Sequence, residues 1–420
     1  MNAKKILILS SSHLCRNPRV LKEAAALGAA GHDVTVLTLS TVEAFERMDA
    51  ELAASQPFRR VTLDYTARRP QARWENFRQR AATWGARKML RWLRWETAQA
   101  LGPARALLRR ALATPADLTI AHTEIPLWAA AALIRAGRAV AVDMEDWYSR
   151  DLLPEDRRTR PLKLLARAEK FALQHTRYVS TTSQSLADAL AAAYEGSPPV
   201  VLRNVFPLQA RTRLDRKTGD EPPAFVWFSQ TIGRGRGLEL FFEAWIRLTR
   251  PSRVTLIGGG GTAYREALLR PLPAGRQAFV SFLPFLAPTA LADKLTEYDI
   301  GLALEETAPA NRNLTIGNKI FQYLNAGLAV AATATAGQSE VLRAAPDAGL
   351  LVATPEPAVF ARQLDDLLAE PARLRAMQAA ARRAAEQQFC WERETPRLLA
   401  AVGQALAVGT SEPLKNFPAP

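Results

Sequence analysis

Short apolar runs alternate with helical patterns along nearly all of this 420-residue chain, and the alternation starts twice. The first series runs from a strand at 6–10 through a helix at 20–30, closed by Gly31, to a strand at 34–39. Further apolar runs follow at 118–121, 139–143, 178–180 and 200–202. Runs that are apolar throughout, without a polar face, belong to strands covered on both sides, which is the mark of a parallel sheet layered with helices. The stretch 208–223 is polar and charged and closes on Pro222-Pro223, so it reads as a linker. A second series then begins, with strands at 225–229, 254–258, 279–282, 300–303 and 349–352 and helices at 238–248 and 288–298. The expected fold is α/β, with two Rossmann-like doubly wound parallel-sheet domains, 1–207 and 224–388, facing a central crevice at the carboxyl ends of both sheets. A terminal helix is expected at 389–408, and a Pro-rich, flexible tail at 409–420.

A hydrophobic content of 48% is ample for two cores. Cys15 and Cys390 lie far apart and the four histidines are scattered, so neither a disulfide framework nor a zinc site is indicated. The N-terminus runs straight into the first strand with no room for a secretory leader. No apolar stretch approaches ~20 residues. The expectation is a cytoplasmic protein that does not span a membrane. Its formal charge of +14 is concentrated: residues 67–110 hold twelve arginines or lysines against Glu75 and Glu96, together with four of the nine tryptophans. The remainder is close to neutral, which argues against general nucleic-acid binding and for a local anionic partner.

Within that segment Trp74, Phe77, Ala81, Trp84, Lys88, Trp92 and Trp95 follow helical steps of three or four and form a stripe roughly 80° wide. Arg73, Arg80, Arg87, Arg91 and Arg94 flank it. Two readings stand: an aromatic stripe turned into a core, or an interfacial helix lying on an anionic membrane surface. Gly85 and Pro103 mark places where such a helix would break.

Two segments of the second series carry anion-binding chemistry. Residues 318–333 read as a polar turn opening a helix that ends at Gly327 and feeds a buried strand. A helix N-terminus presents free backbone N–H groups and the positive end of its dipole, which suits a pyrophosphate. Lys319 in the first turn opposes that dipole, so its charge makes sense toward a ligand. Residues 227–239 empty a strand into a glycine-rich loop bearing Arg234 and Arg236; glycines admit close backbone approach and arginine clamps phosphate oxygens. The plain alternative is a solvated turn. The run Gly258 to Gly261 is no dinucleotide fingerprint, because it follows the second strand of its domain and no acid stands ~20 residues on.

These segments resemble the nucleotide-sugar region of two-domain, GT-B fold glycosyltransferases, particularly the large retaining family 4, where Asn/Ser-Lys-aromatic-Glu-Tyr-x-x-x-Gly-x-Pro-Val-Val-Ala-Thr is common. The resemblance runs from Ile6 to about Trp391 and is strongest at 228–239 and 318–333. It implies transfer of a sugar from a nucleotide-diphosphate donor to a saccharide or lipid-linked acceptor, with retention, without a metal or other cofactor, in polysaccharide biosynthesis. Arg236-Gly237 falls on the family's Arg/Lys-Gly pair, so Arg236 and Lys319 would stabilise the departing pyrophosphate. Donor contacts would come from Ser229, Gln230, Gly235, Gly237, Gly258, Gly259, Glu306, Asn313, Thr315, Ile316, Gly317, Asn318 and Gln322. Many relatives carry two glutamates eight positions apart in this region; here Leu314 and Gln322 stand in their places. Gln322 would bond the ribose diol through its carbonyl oxygen, and Asn313 or Glu306 would face the sugar.

In the first domain the resemblance implies a histidine near the reacting sugar, and His122 stands just beyond a strand's carboxyl end. It would accept from a hydroxyl or protonate a leaving oxygen, the alternative being a structural histidine. Arg16, Asn17 and Arg19 precede a helix, where cations oppose the dipole unless they share an anion; with Glu145 and Asp146 they would bind the acceptor. Their alternatives are salt bridges to Glu23, a cap by Asp143 and pairing of Glu145 or Asp146 with Arg150. Expected partners are the donor, the acceptor and, through Trp74, Phe77, Trp84, Trp92 and Trp95, an anionic membrane surface at its inner face, with no nucleic acid. Two rival readings are a nucleotide-sugar epimerase of the same fold and a degenerate partner protein that binds nucleotide sugars or lipids without turnover.

Overall fold

A computed structural model describes residues 3–66, 73–154, 156–215 and 221–407. The chain divides into two compact units, Met1–Leu202 with Thr395–Pro420, and Arg203–Glu394.

The first unit runs β1 (Lys5–Ser10), α1 (Pro18–Ala29), β2 (Asp33–Ser40), α2 (Glu43–Ala54), β3 (Arg59–Asp64), α3 (Arg73–Leu93), α4 (Ala104–Ala113), β4 (Leu118–His122), α5 (Glu124–Arg135), β5 (Val140–Met144), α6 (Leu162–His175), β6 (Val179–Thr181), α7 (Gln184–Tyr194) and β7 (Val200–Val201). Its strands form one sheet in the order β3-β2-β1-β4-β5-β6-β7, and its pairings are parallel. The apolar runs occupy the middle: Ile6, Leu7, Ile8 and Leu9 of β1 are 1% exposed or less. α1 starts where Pro18 takes the first helical position and the Asn17 side chain accepts from Val20 N, satisfying a free N–H of the first turn.

The second unit runs β8 (Ala224–Thr231), α8 (Leu238–Trp245), β9 (Arg253–Gly259), α9 (Thr262–Leu269), α10 (Ala274–Gln277), β10 (Val280–Leu283), α11 (Pro288–Leu295), β11 (Ile300–Ala303), α12 (Ala310–Leu314), α13 (Asn318–Ala326), β12 (Ala329–Thr333), α14 (Ala336–Ala344), β13 (Gly349–Val352), α15 (Pro357–Ala369) and α16 (Pro371–Gln387). The sheet order is β10-β9-β8-β11-β12-β13. Its two faces have separate cores. Trp227, Phe241, Trp245 and Phe360 fill one, and Ile320, Phe321, Tyr323 and Leu324 the other. Close packing dictates a glycine in β11, since a Cβ on Gly301 would stand 2.1 Å from the Tyr323 ring. A last helix, α17 (Trp391–Ala407), starts in the second unit and belongs to the first from Thr395 onward.

Several boundaries differ from those the sequence suggests. β3 and α2 are additional elements of the first unit. Residues 208–215 and 221–223 are part of the second unit: Leu208 N donates to the Glu392 carboxylate, Gln209 N to Asn325 Oδ1 at 3.2 Å, and Arg213 pairs with Asp299 at 2.9 Å. The division falls between Leu202 and Arg203, ahead of residue 207. α3 passes through Gly85 unbroken and ends at Leu93, where Arg94 turns into the left-handed region at φ 55°, so Trp95 lies beyond the helix. The tail 409–420 lies outside the described residues.

Candidate active site

In a doubly wound sheet, loops leaving two adjacent strands toward opposite faces open a crevice at the carboxyl ends, where the strand order reverses. In the second unit that point lies between β8 and β11. The loop after β8 turns on Gly235 and Gly237, at φ 70° and 69°, conformations a side chain disfavours. A Cβ on Gly237 would stand 2.8 Å from that of Leu304, just past β11, so the two loops touch through a bare backbone. Arg312 Nη1 donates to Gly235 O at 2.5 Å, and the Glu306 carboxylate lies on the same side of Gly235. Arg236, between the two glycines, is half-buried and has no hydrogen bond or ion pair among the described residues. Arg312 is a second cation here, absent from the residues the sequence picks out although it adjoins Asn313.

The helix of the opening motif is α13, and its C-terminus is capped by Gly327 in the left-handed region. Gly317 holds the N-cap position in extended backbone, and no side chain caps the first turn. Lys319 is buried there. Its Nζ pairs with Glu305 Oε1 at 2.7 Å and lies 5.5 Å from the centre of the Trp227 ring. The Glu305 carboxylate also flanks Gly317, 3.5 Å from where a Cβ would stand, so an internal carboxylate sits at the mouth of the helix. Gln322, on the first turns of α13, keeps its Oε1 buried without a partner among the described residues.

Other expected donor contacts have structural partners. Asn313 Oδ1 accepts from Ala336 N, the first residue of α14, at 3.1 Å. Thr315 donates to Asn311 O at 2.8 Å, and its carbonyl faces Gly337, where a Cβ would approach to 2.2 Å. Ile316 is buried in the core under α13, while Asn318 remains half-buried at the helix start. Gly258 and Gly259 lie against the end of β8: a Cβ on Gly258 would stand 2.4 Å from Ser229 O and one on Gly259 3.1 Å from Gln230 O. Gly258 is buried against β8, while Gly259 stays partly exposed.

The matching point of the first unit lies between β1 and β4, and it is closed. Arg19 is 3% exposed, sends Nε and Nη2 to the two oxygens of Asp143 at 2.9 and 2.6 Å, and donates from Nη1 to Leu202 O at 2.6 Å. Ser180 donates to the same Asp143 at 2.6 Å. Register explains the meeting, since His122 pairs with Asp143 and Asp143 with Ser180 across neighbouring strands. His122 is the last residue of β4 and fully buried, a correction to its expected place beyond the strand. Its Nε2 lies 2.7 Å from Glu23 Oε2, and Nδ1 lies 3.5 Å from Glu145 and 3.8 Å from Asp143. Burial alone would lower its pKa; the Glu23 and Asp143 charges outweigh that and raise it to about 10, so the imidazole is a cation at neutral pH. Asn17 Nδ2 donates to Glu145 Oε1 at 2.8 Å. Arg19 thus bonds Asp143 in place of Glu23 or a ligand, and Asp143 caps no helix. Arg16 lies over the Phe45 ring, Arg150 over Trp147, and Asp146 is buried only in part.

On α3 the aromatic stripe is outside. Trp74, Phe77, Trp84 and Trp92 are 61–70% exposed and Trp95 60%, while Asn76, Ala86 and Leu90 are the buried positions of the helix. The core reading of the stripe fails. Among the described residues, no helix is long and apolar enough to cross a membrane.

The family described as Glycosyl transferase 4-like domain matches residues 17–205, and Glycosyl transferases group 1 matches residues 222–370. Similar solved structures include sucrose-phosphate synthase from Thermosynechococcus elongatus, at 15% identity and TM-score 0.71 over 96% of this chain and 99% of that one. HepE from Anabaena, solved with UDP-glucose, gives 18% and 0.66 over 95% and 99%. WaaG, a glycosyltransferase involved in lipopolysaccharide biosynthesis, gives 15% and 0.60 over 95% and 100%. No curated protein matches by sequence. With one family match on each unit, and two parallel α/β sheets like those of its structural neighbours, the chain joins a glycosyl transferase 4-like domain to a glycosyl transferases group 1 domain in the GT-B fold.

Proposed function

We propose that this protein is a retaining, metal-independent transferase that moves a sugar from a nucleotide diphosphate to a hydroxyl of a saccharide or lipid-linked acceptor. The observation that carries the reading is the second unit's switch point. There Arg236, unpaired among the described residues, is held between two positive-φ glycines, in the same unit as the uncapped N-terminus of α13 with Lys319 in its first turn. In the reaction the bond from the anomeric carbon to the diphosphate oxygen breaks, the acceptor oxygen bonds to that carbon, and the hydroxyl proton leaves with the diphosphate or to solvent. Negative charge grows on the departing diphosphate, where Arg236, Lys319 and the helix dipole oppose it without a divalent ion. Lys319 would exchange its Glu305 partner for phosphate. Ser229 and Gln230 near the end of β8, Glu306 after β11 and Asn318 at the start of α13 would meet the sugar and ribose. Retention follows from the family resemblance. The burial and ion partners of His122 favour a positioning role within the first unit, alongside Arg19 and Asp143.

The exposed tryptophans and arginines of α3 favour contact with an anionic membrane surface, where each basic residue adds ~1 kcal/mol and indole rings settle at headgroup level. Because HepE was solved with UDP-glucose, that donor is the first to test. Purified protein given labelled UDP-glucose and other nucleotide sugars in EDTA should release nucleotide diphosphate and glycosylate an added acceptor. No turnover with any donor, or turnover that requires added magnesium or manganese, would contradict the proposal.

A further inference from the structure

α3 carries more than an aromatic face. At about 100° per residue, Asn76, Arg80, Thr83 and Arg87 fall within ~60° of one another, between the buried edge at Ala86 and Leu90 and the exposed edge at Trp74, Trp84 and Trp92. These four residues, with Tyr65 after β3 and Trp84, line a cavity of about 300 Å³, the size that takes a small headgroup. The lining is mainly apolar and its charges are positive. Arg80 has no ion pair or hydrogen bond among the described residues, and Arg87 uses only Nε, donating to Ala100 O at 2.9 Å. Asn76 is 8% exposed and donates from Nδ2 to Thr66 O at 2.9 Å, which leaves its Oδ1 buried without a partner among the described residues. A buried carbonyl oxygen left so is costly, and a hydroxyl reaching it removes the cost.

We infer that this cavity binds the headgroup of a membrane lipid that bears both a phosphate and a free hydroxyl. The inference rests on the proposed membrane contact of α3 and gives that contact its chemical selectivity. The phosphate sits between Arg80 and Arg87, where guanidinium groups bind it bidentately. The hydroxyl donates to Asn76 Oδ1, and the acyl chains leave past Trp84 along the aromatic edge toward the membrane. The mixed lining matches such an amphiphile: the apolar wall accepts the glycerol carbons, and the cations accept the phosphate.

The test is calorimetric titration of the full-length protein with monomeric dihexanoyl-phosphatidylglycerol, -phosphatidic acid and -phosphatidylcholine and with inorganic phosphate. Phosphatidylglycerol should bind one to one, several-fold tighter than phosphatidic acid and at least tenfold tighter than phosphatidylcholine or phosphate. Arg80→Gln and the cavity-filling Thr83→Trp should each weaken it at least tenfold. Arg80 is exposed, so its variant decides the matter if Thr83→Trp does not fold. Equal binding of phosphatidylcholine, equal binding of inorganic phosphate, or unchanged binding by folded variants would overturn the inference. The melting shift with UDP-glucose on the same samples separates the two failures: a retained shift without lipid binding removes only the cavity, and loss of both removes the transferase reading as well.

Discussion

The two sheets reverse their strand order at comparable places, and the chemistry placed there is opposite. Between β1 and β4 the buried cations have internal counter-charges: Arg19 with Asp143, His122 with Glu23. Between β8 and β11, Arg236 has none among the described residues, and α13 opens without a cap. A buried pair is held because leaving either partner alone in low dielectric is expensive. A half-buried cation keeps part of its hydration, so it stands without a counter-charge at little cost and stays available to an anionic ligand. The same fold feature therefore serves as a lock in one unit and as a socket in the other. The Lys319 pair with Glu305 lies between these cases, an internal carboxylate standing where a diphosphate would go.

The comparison breaks most readily at the lock. Arg19→Ala strands Asp143 in the core and should cost roughly 3–5 kcal/mol of stability, read as a lowered melting midpoint or urea midpoint. A change below 1 kcal/mol would mean that the pair is not what closes the first switch point. Arg236→Ala should show the reverse profile, with stability nearly unchanged and transfer slowed ~10²–10³-fold. If it melts early and still turns over, lock and socket have been assigned the wrong way round.

A smaller effect distinguishes the two units by pH. The folded pKa of His122 is raised from 6.5 to about 10, so its share of stability is complete below the unfolded value near 6.5 and is lost as pH rises through about 10. The size is on the order of a few kcal/mol at most. Denaturant midpoints should fall between pH 7 and 10, and His122→Gln should flatten that fall. An unchanged slope in the variant would show that the imidazole is neutral in the folded protein. The smallest effect belongs to the socket. Gln322→Glu puts a charge where an unpartnered oxygen now stands, and should tighten donor binding by roughly two- to tenfold if that atom meets a ribose diol. Weaker binding would place the ribose elsewhere.

Much of the fold was legible because the strands that matter are apolar throughout: 300–303 and 349–352 are β11 and β13 to the residue. β3 escaped because Arg59-Arg60-Val61-Thr62-Leu63-Asp64 is an edge strand, only half-buried, and carries none of the apolar signal of a covered one. α13 and its glycine stop were legible for a local reason: capping and dipole are properties of consecutive residues. The pairings that decide which charges are available are not local. Arg19 on α1 meets Asp143 on β5, 124 positions away, and Asn313 accepts from the first residue of a helix 23 positions on. A histidine or asparagine in the expected loop can therefore be occupied by a partner that spacing does not reveal. The stripe on α3 was open to two readings because periodicity fixes that residues share a face without fixing what the face meets; exposure of 61–70% at Trp74, Phe77, Trp84 and Trp92 removed the core reading.

The most direct measurement of the central claim is a melting series of wild type, Arg236→Ala and Lys319→Ala with uridine, guanosine, adenosine and thymidine diphosphate sugars. A donor at ~100 times its dissociation constant adds ~2.7 kcal/mol of stability. The account predicts that at least one donor raises the wild-type midpoint by that order and that the shift is lost or strongly reduced in Arg236→Ala, whose midpoint without donor stays at the wild-type value. No shift with any donor, or a full shift in both variants, would contradict the assignment of the second switch point as the donor site.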